Sequence, residues 1–235
     1  NADLGGKFPP AGKIATKDLA PVIEELKTIL GTSGSSEKLI VLFKEAYLGH
    51  SNMADATRWL AHAIFGQYGL VILDSDDARL KKIFIPVLRD DIFENKPFQL
   101  INSCSEKLEN MGYKTQINPR EINAFYLTDQ FRERIVYDAA RPAEGGEKYN
   151  VLNSDLSFSK QEMEKIIEER PERFSPNVAI RPLFQEIILP NLAYIGGSNE
   201  LAYWMQMKEL FDHYGVKVPV LVLRNSFLWI DKVSA

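Results

Sequence analysis

The chain has 235 residues, 45% of them hydrophobic and 26% charged, enough for one large domain or one domain with an insertion around a sizeable core. Its formal charge of -4, from 28 basic and 32 acidic residues, argues against non-specific binding to nucleic acid while leaving room for a local basic pocket. No apolar run approaches the roughly 18 residues a membrane-spanning helix needs, and the single cysteine, Cys104, excludes an intrachain disulfide.

In chain order, Asn1-Ala2 without a methionine reads as the remnant of a cleaved tag, and both ends suit an internal fragment. Residues 1–16 read as an irregular lead-in. Asp18–Leu30 has a helical apolar stripe with Pro21 in the first turn, where a missing N–H does little harm. Gly31–Ser36 is a break, and Glu37–Leu48 a second helix. His50–Gly66 is a third, with Ser51 or Asn52 as cap. Leu70–Leu73 reads as a short strand that opens into Asp74-Ser75-Asp76-Asp77. Helices follow over Ala78–Asp91 and Pro97–Met111, the second carrying Cys104 as a buried residue.

The pattern then changes. Tyr113–Asn118, Ala124–Leu127, Arg132–Asp138 and Asn150–Leu152 read as short strands, with a Pro- and Gly-bearing loop over Ala139–Lys148. Ser159 followed by Glu162 is a capping-box pattern opening a helix over Ser159–Glu168. Asn177–Ile188 begins as a helix interrupted by Pro182. Ala193–Ile195 is a strand, Glu200–Tyr214 a long helix ended by Gly215, and Val218–Leu223 the closing strand. Strand, Gly-rich loop, helix, strand is a doubly wound signature. The fold class is therefore α/β, a Rossmann-like parallel-sheet core, partial in this chain, with a small β-rich insertion. The expected divisions are residues 1–36, a lead-in and helix; 37–112, the first part of the core; 113–155, the insertion; and 156–235, the second part of the core.

Open α/β sheets bind ligands beyond the carboxyl ends of their strands. That rule selects Asp74, the loop Gly196-Gly197-Ser198-Asn199-Glu200, and Arg224-Asn225. Glycines after a strand permit a tight turn, and a helix N-terminus offers N–H groups to an anion; the same loop also reads as a plain turn capped by Ser198 or Asn199. It matches neither a dinucleotide fingerprint nor a P-loop. Glu200 suits the helix dipole and can accept a substrate ammonium. The Asp74 cluster suits ribose hydroxyls, an amine or magnesium, or a solvated cap. Asn118 and Arg120 form a possible substrate clamp in a polar turn. Arg181 and Gln185 share a helix face, and a buried arginine needs either an anionic ligand or an internal partner. Arg58 faces the same choice. His50 is a weak general-base candidate, no nucleophile elbow supports Ser51, and His50, His62 and His213 have no metal-site spacing. Trp59, Phe65, Phe125, Tyr126, Tyr203, Trp204, Phe227 and Trp229 read as core or interface residues.

The stretches ADATRWL, FGQYGLVILDSDD, NPREINAFYL, SPNVAIRPLFQEIILPNLAYIGGSNELAYW and VLVLRNSFLWI together resemble the bacillithiol biosynthesis cysteine-adding enzyme family, from about residue 37 to residue 230, with FKEAY and DDI nearest its Bacteroidetes branch. The resemblance implies a cytoplasmic ligase that joins cysteine to the amino group of glucosaminyl malate. It implies a Rossmann-like core, an upstream histidine-bearing segment of the EDHD type that is not found here, and a dimer-forming C-terminal coiled coil outside this chain. ATP or another nucleotide is the expected activator, with no metal in this segment, no nucleic-acid partner and no membrane. On that reading Asp74, Glu200 and Arg224 are the catalytic candidates. Arg58, Asn118, Arg120, Arg181, Gln185, Gly196, Gly197, Ser198, Asn199 and Asn225 are the substrate- or nucleotide-binding candidates. The other classes the residues allow are a non-catalytic nucleotide- or sugar-binding module, a nucleotidyltransferase- or glycosyltransferase-like enzyme with a metal at Asp74–Asp77, and a structural dimerisation protein.

Overall fold

The computed structural model describes residues 9–139, 147–228 and 230. The expected loop over Ala139–Lys148 therefore falls largely outside the described residues, and Asn1-Ala2 and Trp229 wholly so. The chain forms two compact units, Asn1–Asp77 with Leu127–Glu133, and Ala78–Tyr126 with Arg134–Ala235.

The first unit holds helices α1 (Ala20–Leu30), α2 (Gly34–Leu48) and α3 (Met53–Phe65), with α1 packed on α2 and α2 on α3. Pro21 sits in the first turn of α1, and Gly31 ends it at φ 71°, a left-handed value that glycine adopts without strain. α2 starts three residues before the expected Glu37 because Ser33 caps it, its hydroxyl accepting from the Ser36 N–H at 3.2 Å. Asn52 caps α3 in the same way, accepting from the Asp55 N–H at 2.9 Å. The turn at Ala11–Lys13 lies close on α3: a Cβ on Gly12 would meet the Ala54 Cβ at 3.3 Å. Leu70–Leu73 is extended but is not a strand. It has no ladder partner among the described residues, and Val71 is 65% exposed.

The second unit opens with α4 (Ala78–Ile83), α5 (Ile85–Phe93) and α6 (Lys96–Asn110). The single helix expected over Ala78–Asp91 is broken at Phe84, because Pro86 has no N–H to give the preceding turn. Strands β1 (Ala124–Leu127), β2 (Arg132–Asp138), β3 (Lys148–Val151), β4 (Ser157–Ser159) and β5 (Phe174–Pro176) form a sheet in the order β4-β3-β2-β1-β5. Its β1/β5, β2/β3 and β3/β4 pairs are antiparallel. The tip of the β1–β2 hairpin is tied by Thr128, whose hydroxyl accepts from the Gln130 and Phe131 N–H groups, and this tip belongs to the first unit.

Two fully buried polar side chains hold the second unit together. Asp91 accepts from the Asn123 and Ala124 N–H groups, each at 2.8 Å, and from Asn123 Nδ2 at 3.0 Å, fastening β1 to α5. Gln206 accepts from the Gln116 and Ile117 N–H groups and donates to the Ile117 carbonyl and the Ser105 hydroxyl. This explains why Tyr113–Asn118 is not the strand its sequence suggests. A side chain has taken the backbone groups that a neighbouring strand would have used.

α7 (Lys160–Glu169) has the full capping box: the Glu162 carboxylate accepts from the Ser159 N–H at 2.8 Å, and the Ser159 hydroxyl from the Glu162 N–H at 3.3 Å. α8 (Arg181–Ile188) carries Pro182 in its first turn rather than being interrupted by it. β6 (Ala193–Gly196) then pairs in parallel with β7 (Val220–Leu223), connected by α9 (Ser198–Met205) and α10 (Lys208–His213). These two helices replace the continuous one expected over Glu200–Tyr214. The chain tightens between them, with Gln206 N–H bonded to Tyr203 O and Met207 N–H to Trp204 O, and this turn points Gln206 at residues 116 and 117. The β6–turn–α9…β7 crossover is the Rossmann-like element. Among the described residues no helix is long and apolar enough to cross a membrane.

Candidate functional site

In the second unit, the end of β6, the start of α9 and the end of β7 converge. Arg224 follows β7 directly, and its N–H donates to the Gly196 carbonyl at 2.9 Å, extending the parallel ladder by one step. Gly197, not Ser198 or Asn199, takes the N-cap position. Glycine has no side-chain oxygen to accept from the helix's first N–H groups, so only the reciprocal half of a capping box forms: Glu200 Oε2 accepts from the Gly197 N–H at 2.7 Å. That N–H is therefore already taken by a carboxylate and is not offered to an anion, as the glycine-rich loop alone had suggested. Ser198 and Asn199 are exposed.

Both glycines have a spatial reason. A Cβ on Gly196 would come 2.6 Å from the Tyr194 ring. A Cβ on Gly197 would sit 3.4 Å from both the Arg224 guanidinium and Glu200 Oε2. A cationic and an anionic side chain thus both face the space beside Gly197 that a Cβ would take. Tyr194 stacks on Trp204, ring centroids 4.4 Å apart, and its hydroxyl reaches Glu200 Oε1 at 3.4 Å. Burial, and then the Glu200 charge, push the Tyr194 hydroxyl up. Burial first, then Tyr194 and Glu200, push Tyr203 to about 12, while the Arg181 charge pulls the other way. Both phenols stay protonated at neutral pH and can donate.

Arg181 therefore acts electrostatically on this cluster, with its guanidinium over the Phe184 ring at 5.6 Å. It is exposed, so the buried arginine expected from sequence is not what the fold contains. Gln185 is half-buried and donates to Glu186, at 3.3 Å. Asn118, Arg120 and Asn225 are exposed. The Arg120 backbone is held by Asn123, which accepts from its N–H at 3.0 Å and donates to its carbonyl at 2.7 Å. The turn that carries Asn118 and Arg120 is thus organised by an asparagine that sequence reasoning passed over, and Tyr194 was likewise not singled out. The signal for Tyr194 was present: it alternates with Gly196 on β6 and so shares its face.

In the first unit, Arg58 and Asp74 line one cavity of about 380 Å³, together with Gly12, Ala54, Thr57, Ala61 and Ser75 among others. Ala54, Thr57, Arg58 and Ala61 are one stripe of α3, and the small side chains of Ala54, Thr57 and Ala61 leave the space. Asp74 is partly structural, its Oδ1 accepting from the Asp76 N–H at 2.9 Å. Arg58 NH2 donates to Asp55 at 2.8 Å. Among the described residues, no three His, Cys, Asp or Glu side chains group so as to hold a metal ion.

A family model described as "Bacillithiol biosynthesis BshC, N-terminal Rossmann-like domain" matches residues 5–225. The similarity thus begins well before the expected residue 37 and takes in the lead-in and α1. A Flavobacterium johnsoniae protein named "Putative cysteine ligase BshC" is 44% identical over 226 residues, covering 96% of this chain and 41% of the relative. A Flavobacterium psychrophilum protein of the same name is 47% identical over 222 residues, covering 94% and 40%. One from Bacillus cereus is 30% identical over 223 residues, covering 94% and 40%. The chain spans about two fifths of the length of these relatives. With a family match over nearly the whole chain and the β6–α9–β7 crossover in place, the chain belongs to the bacillithiol biosynthesis BshC family, within its N-terminal Rossmann-like domain.

Proposed function

We propose that this chain is the Rossmann-like part of a cytoplasmic ligase that joins L-cysteine to the amino group of glucosaminyl malate, and that the complete enzyme is a dimer held by a coiled coil outside this segment. The family match and the relatives' cysteine-ligase name support the reaction class. The observation that carries the site is the meeting of opposite charges beside Gly197, with Glu200 and Arg224 each 3.4 Å from the position a Cβ would take. An amino acid is a zwitterion, and this pair suits its two charges. Arg224, with Arg181 nearby, would hold the carboxylate. Glu200, backed by the Tyr194 and Tyr203 hydroxyls, would hold an ammonium.

Amide formation removes an oxygen from the carboxylate and needs an unprotonated amine. ATP or another nucleotide would supply the activation when bound. Within the second unit Arg224, exposed and cationic, fits its phosphates; the Gly197 N–H, occupied by Glu200, does not. Positive groups fixed beside the reacting carboxyl stabilise the charge that develops there, and Glu200 can receive the proton the amine gives up. Asp74 and Arg58 line a separate cavity of the first unit, where an acid and a base suit hydroxyls and an anion.

The direct test is mass spectrometry of the full-length enzyme with cysteine and glucosaminyl malate, with and without ATP. A cysteinyl adduct that requires ATP supports a nucleotide-driven ligase. An adduct without ATP means a donor activated elsewhere. No adduct from folded protein with verified substrates would leave a binding module and overturn the ligase reading.

A further inference from the structure

A second cavity, of about 460 Å³, lies in the first unit on the other side of Arg58 and is lined by His50, Asp55, Arg58, Trp59, His62 and Ile72. Four of these, Asp55, Arg58, Trp59 and His62, fall at helical spacing and form one stripe of α3, adjacent to the small-residue stripe that lines the first cavity. None of this stripe except Arg58 entered the ligase reading.

The lining has a definite chemistry. Both Asp55 oxygens have a partner: Oδ1 accepts from Arg58 Nη2 at 2.8 Å and Oδ2 from Asn52 Nδ2 at 2.8 Å. Its charge orients Arg58, whose remaining N–H groups are left to face the two cavities it lines. The His62 ring lies over Gly66, where a Cβ would come 2.7 Å from Cε1, so the glycine is what lets the imidazole fold back onto the helix end. The nitrogen His50 Nδ1 lies 2.8 Å from the Ala46 carbonyl, which can only accept, so Nδ1 carries the proton and Nε2 of the neutral ring is an acceptor. The His50 and Trp59 rings are in contact, centroids 5.9 Å apart, and Ile72 adds an apolar surface. The cavity therefore offers a guanidinium and an imidazole for an anion, an acceptor for a hydroxyl, and an indole for a ring. Its volume is in the range of small-molecule sites.

We propose that this cavity binds a small ring-bearing phosphomonoester, either a sugar phosphate or a nucleoside monophosphate. The phosphate sits on Arg58 and His62, a ring hydroxyl donates to His50 Nε2, and the ring rests on Trp59 and Ile72. Donors on two separate side chains suit the spread oxygens of a phosphate better than a planar carboxylate, which prefers a single arginine fork. Because Arg58 borders both cavities, occupancy of the second draws the guanidinium away from the first. This proposal does not depend on the ligase reading.

The chain has only three histidines, His50, His62 and His213, so their imidazole signals can be followed individually by NMR, with His213, no part of the cavity, as internal control. Glucose 6-phosphate, AMP, inorganic phosphate and succinate are titrated into the 235-residue chain to about 10 mM, a ceiling that still detects weak sites. The expected result is a saturable shift of His50 and His62 with glucose 6-phosphate or AMP, and weaker binding of inorganic phosphate; which of the two organic phosphates binds more tightly identifies the source. Arg58→Gln weakens that binding about tenfold or more. Gly66→Ala, which touches no ligand, weakens it by displacing His62. No saturable shift, an equal shift of His213, a preference for succinate, or saturable binding indifferent to Arg58→Gln in a variant of unchanged circular dichroism would each overturn the assignment.

Discussion

Gln206 and Ile117 hydrogen-bond in both directions: Gln206 Nε2 donates to the Ile117 carbonyl at 3.0 Å, and Gln206 Oε1 accepts from the Ile117 N–H at 3.1 Å. One side chain does for residue 117 what a neighbouring strand would do. Gln206→Leu, close in volume, strands the Gln116 N–H and both Ile117 groups, so it should cost about 2–4 kcal/mol. Urea unfolding monitored by circular dichroism measures this. A loss below about 0.5 kcal/mol would mean that water satisfies those groups and the side chain is dispensable.

Asp91 carries a pH dependence of predictable sign. Burial raises its carboxyl from 3.8 to about 7, against the pull of the Asn123 and Ala124 donors. The folded chain therefore holds a proton between about pH 4 and pH 7 that the unfolded chain releases. This contribution to stability is fully present below the unfolded value and is lost as pH rises through 7. Its upper bound is on the order of 4 kcal/mol. Asp91→Asn should flatten the stability profile across that window, at the cost of one of three hydrogen bonds. Parallel slopes for the two proteins from pH 4 to 7 would show that Asp91 does not carry it.

The two glycines after β6 should respond differently to alanine. At Gly197, φ is −71° and a new Cβ meets Arg224 and Glu200 at ordinary contact distance, so the fold tolerates it. The methyl nevertheless fills the space between the two charges, and substrate affinity of the full-length enzyme should fall about tenfold, as it should for Arg224→Ala. At Gly196 the Cβ collides with the Tyr194 ring and dislodges it from Trp204, so stability should fall too. Cysteine KM and melting temperature, read together, separate the cases. Unchanged KM in both Gly197→Ala and Arg224→Ala would remove this loop from the substrate site.

Gly66→Ala makes a sharper local prediction. The backbone there is already helical, φ −58°, so alanine is conformationally acceptable and helix propensity favours it. Only the His62 ring must move. Melting temperature should hold or rise while the His62 imidazole signal shifts in the free protein. An unchanged signal would mean that the ring does not rest on Gly66.

Much of this was legible from the sequence because the signals are local. The Ser159–Glu162 capping box, the Asn52 cap, Pro21 in a first turn and the β1 and β2 segments all depend on a few adjacent residues, and each lies where the pattern placed it. The failures share a different cause. Leu70–Leu73 has strand composition, but a strand is a property of two segments. Tyr113–Asn118 has strand composition too, but a glutamine 89 residues further on from Ile117 has its backbone groups. Periodicity ran α9 and α10 together because it ignores the Gln206 turn. At the site, the order strand–glycines–helix pointed to the right loop. It could not show that Glu200 closes the Gly197 N–H, or that Glu200 and Arg224 meet beside that glycine.

The tip of the β1–β2 hairpin has a temporal consequence. Leu127–Glu133 belongs with the unit whose other residues end at Asp77. During synthesis that unit waits for its last piece until the intervening 49 residues have been made, Ala78–Tyr126. At ribosomal rates of about 5–20 residues per second this is a delay of roughly 2–10 s, long compared with helix formation. Through that interval α1, α2 and α3 must persist without their hairpin tip. The helices α1, α2 and α3 are thus the part of this chain that spends that interval in an incomplete unit.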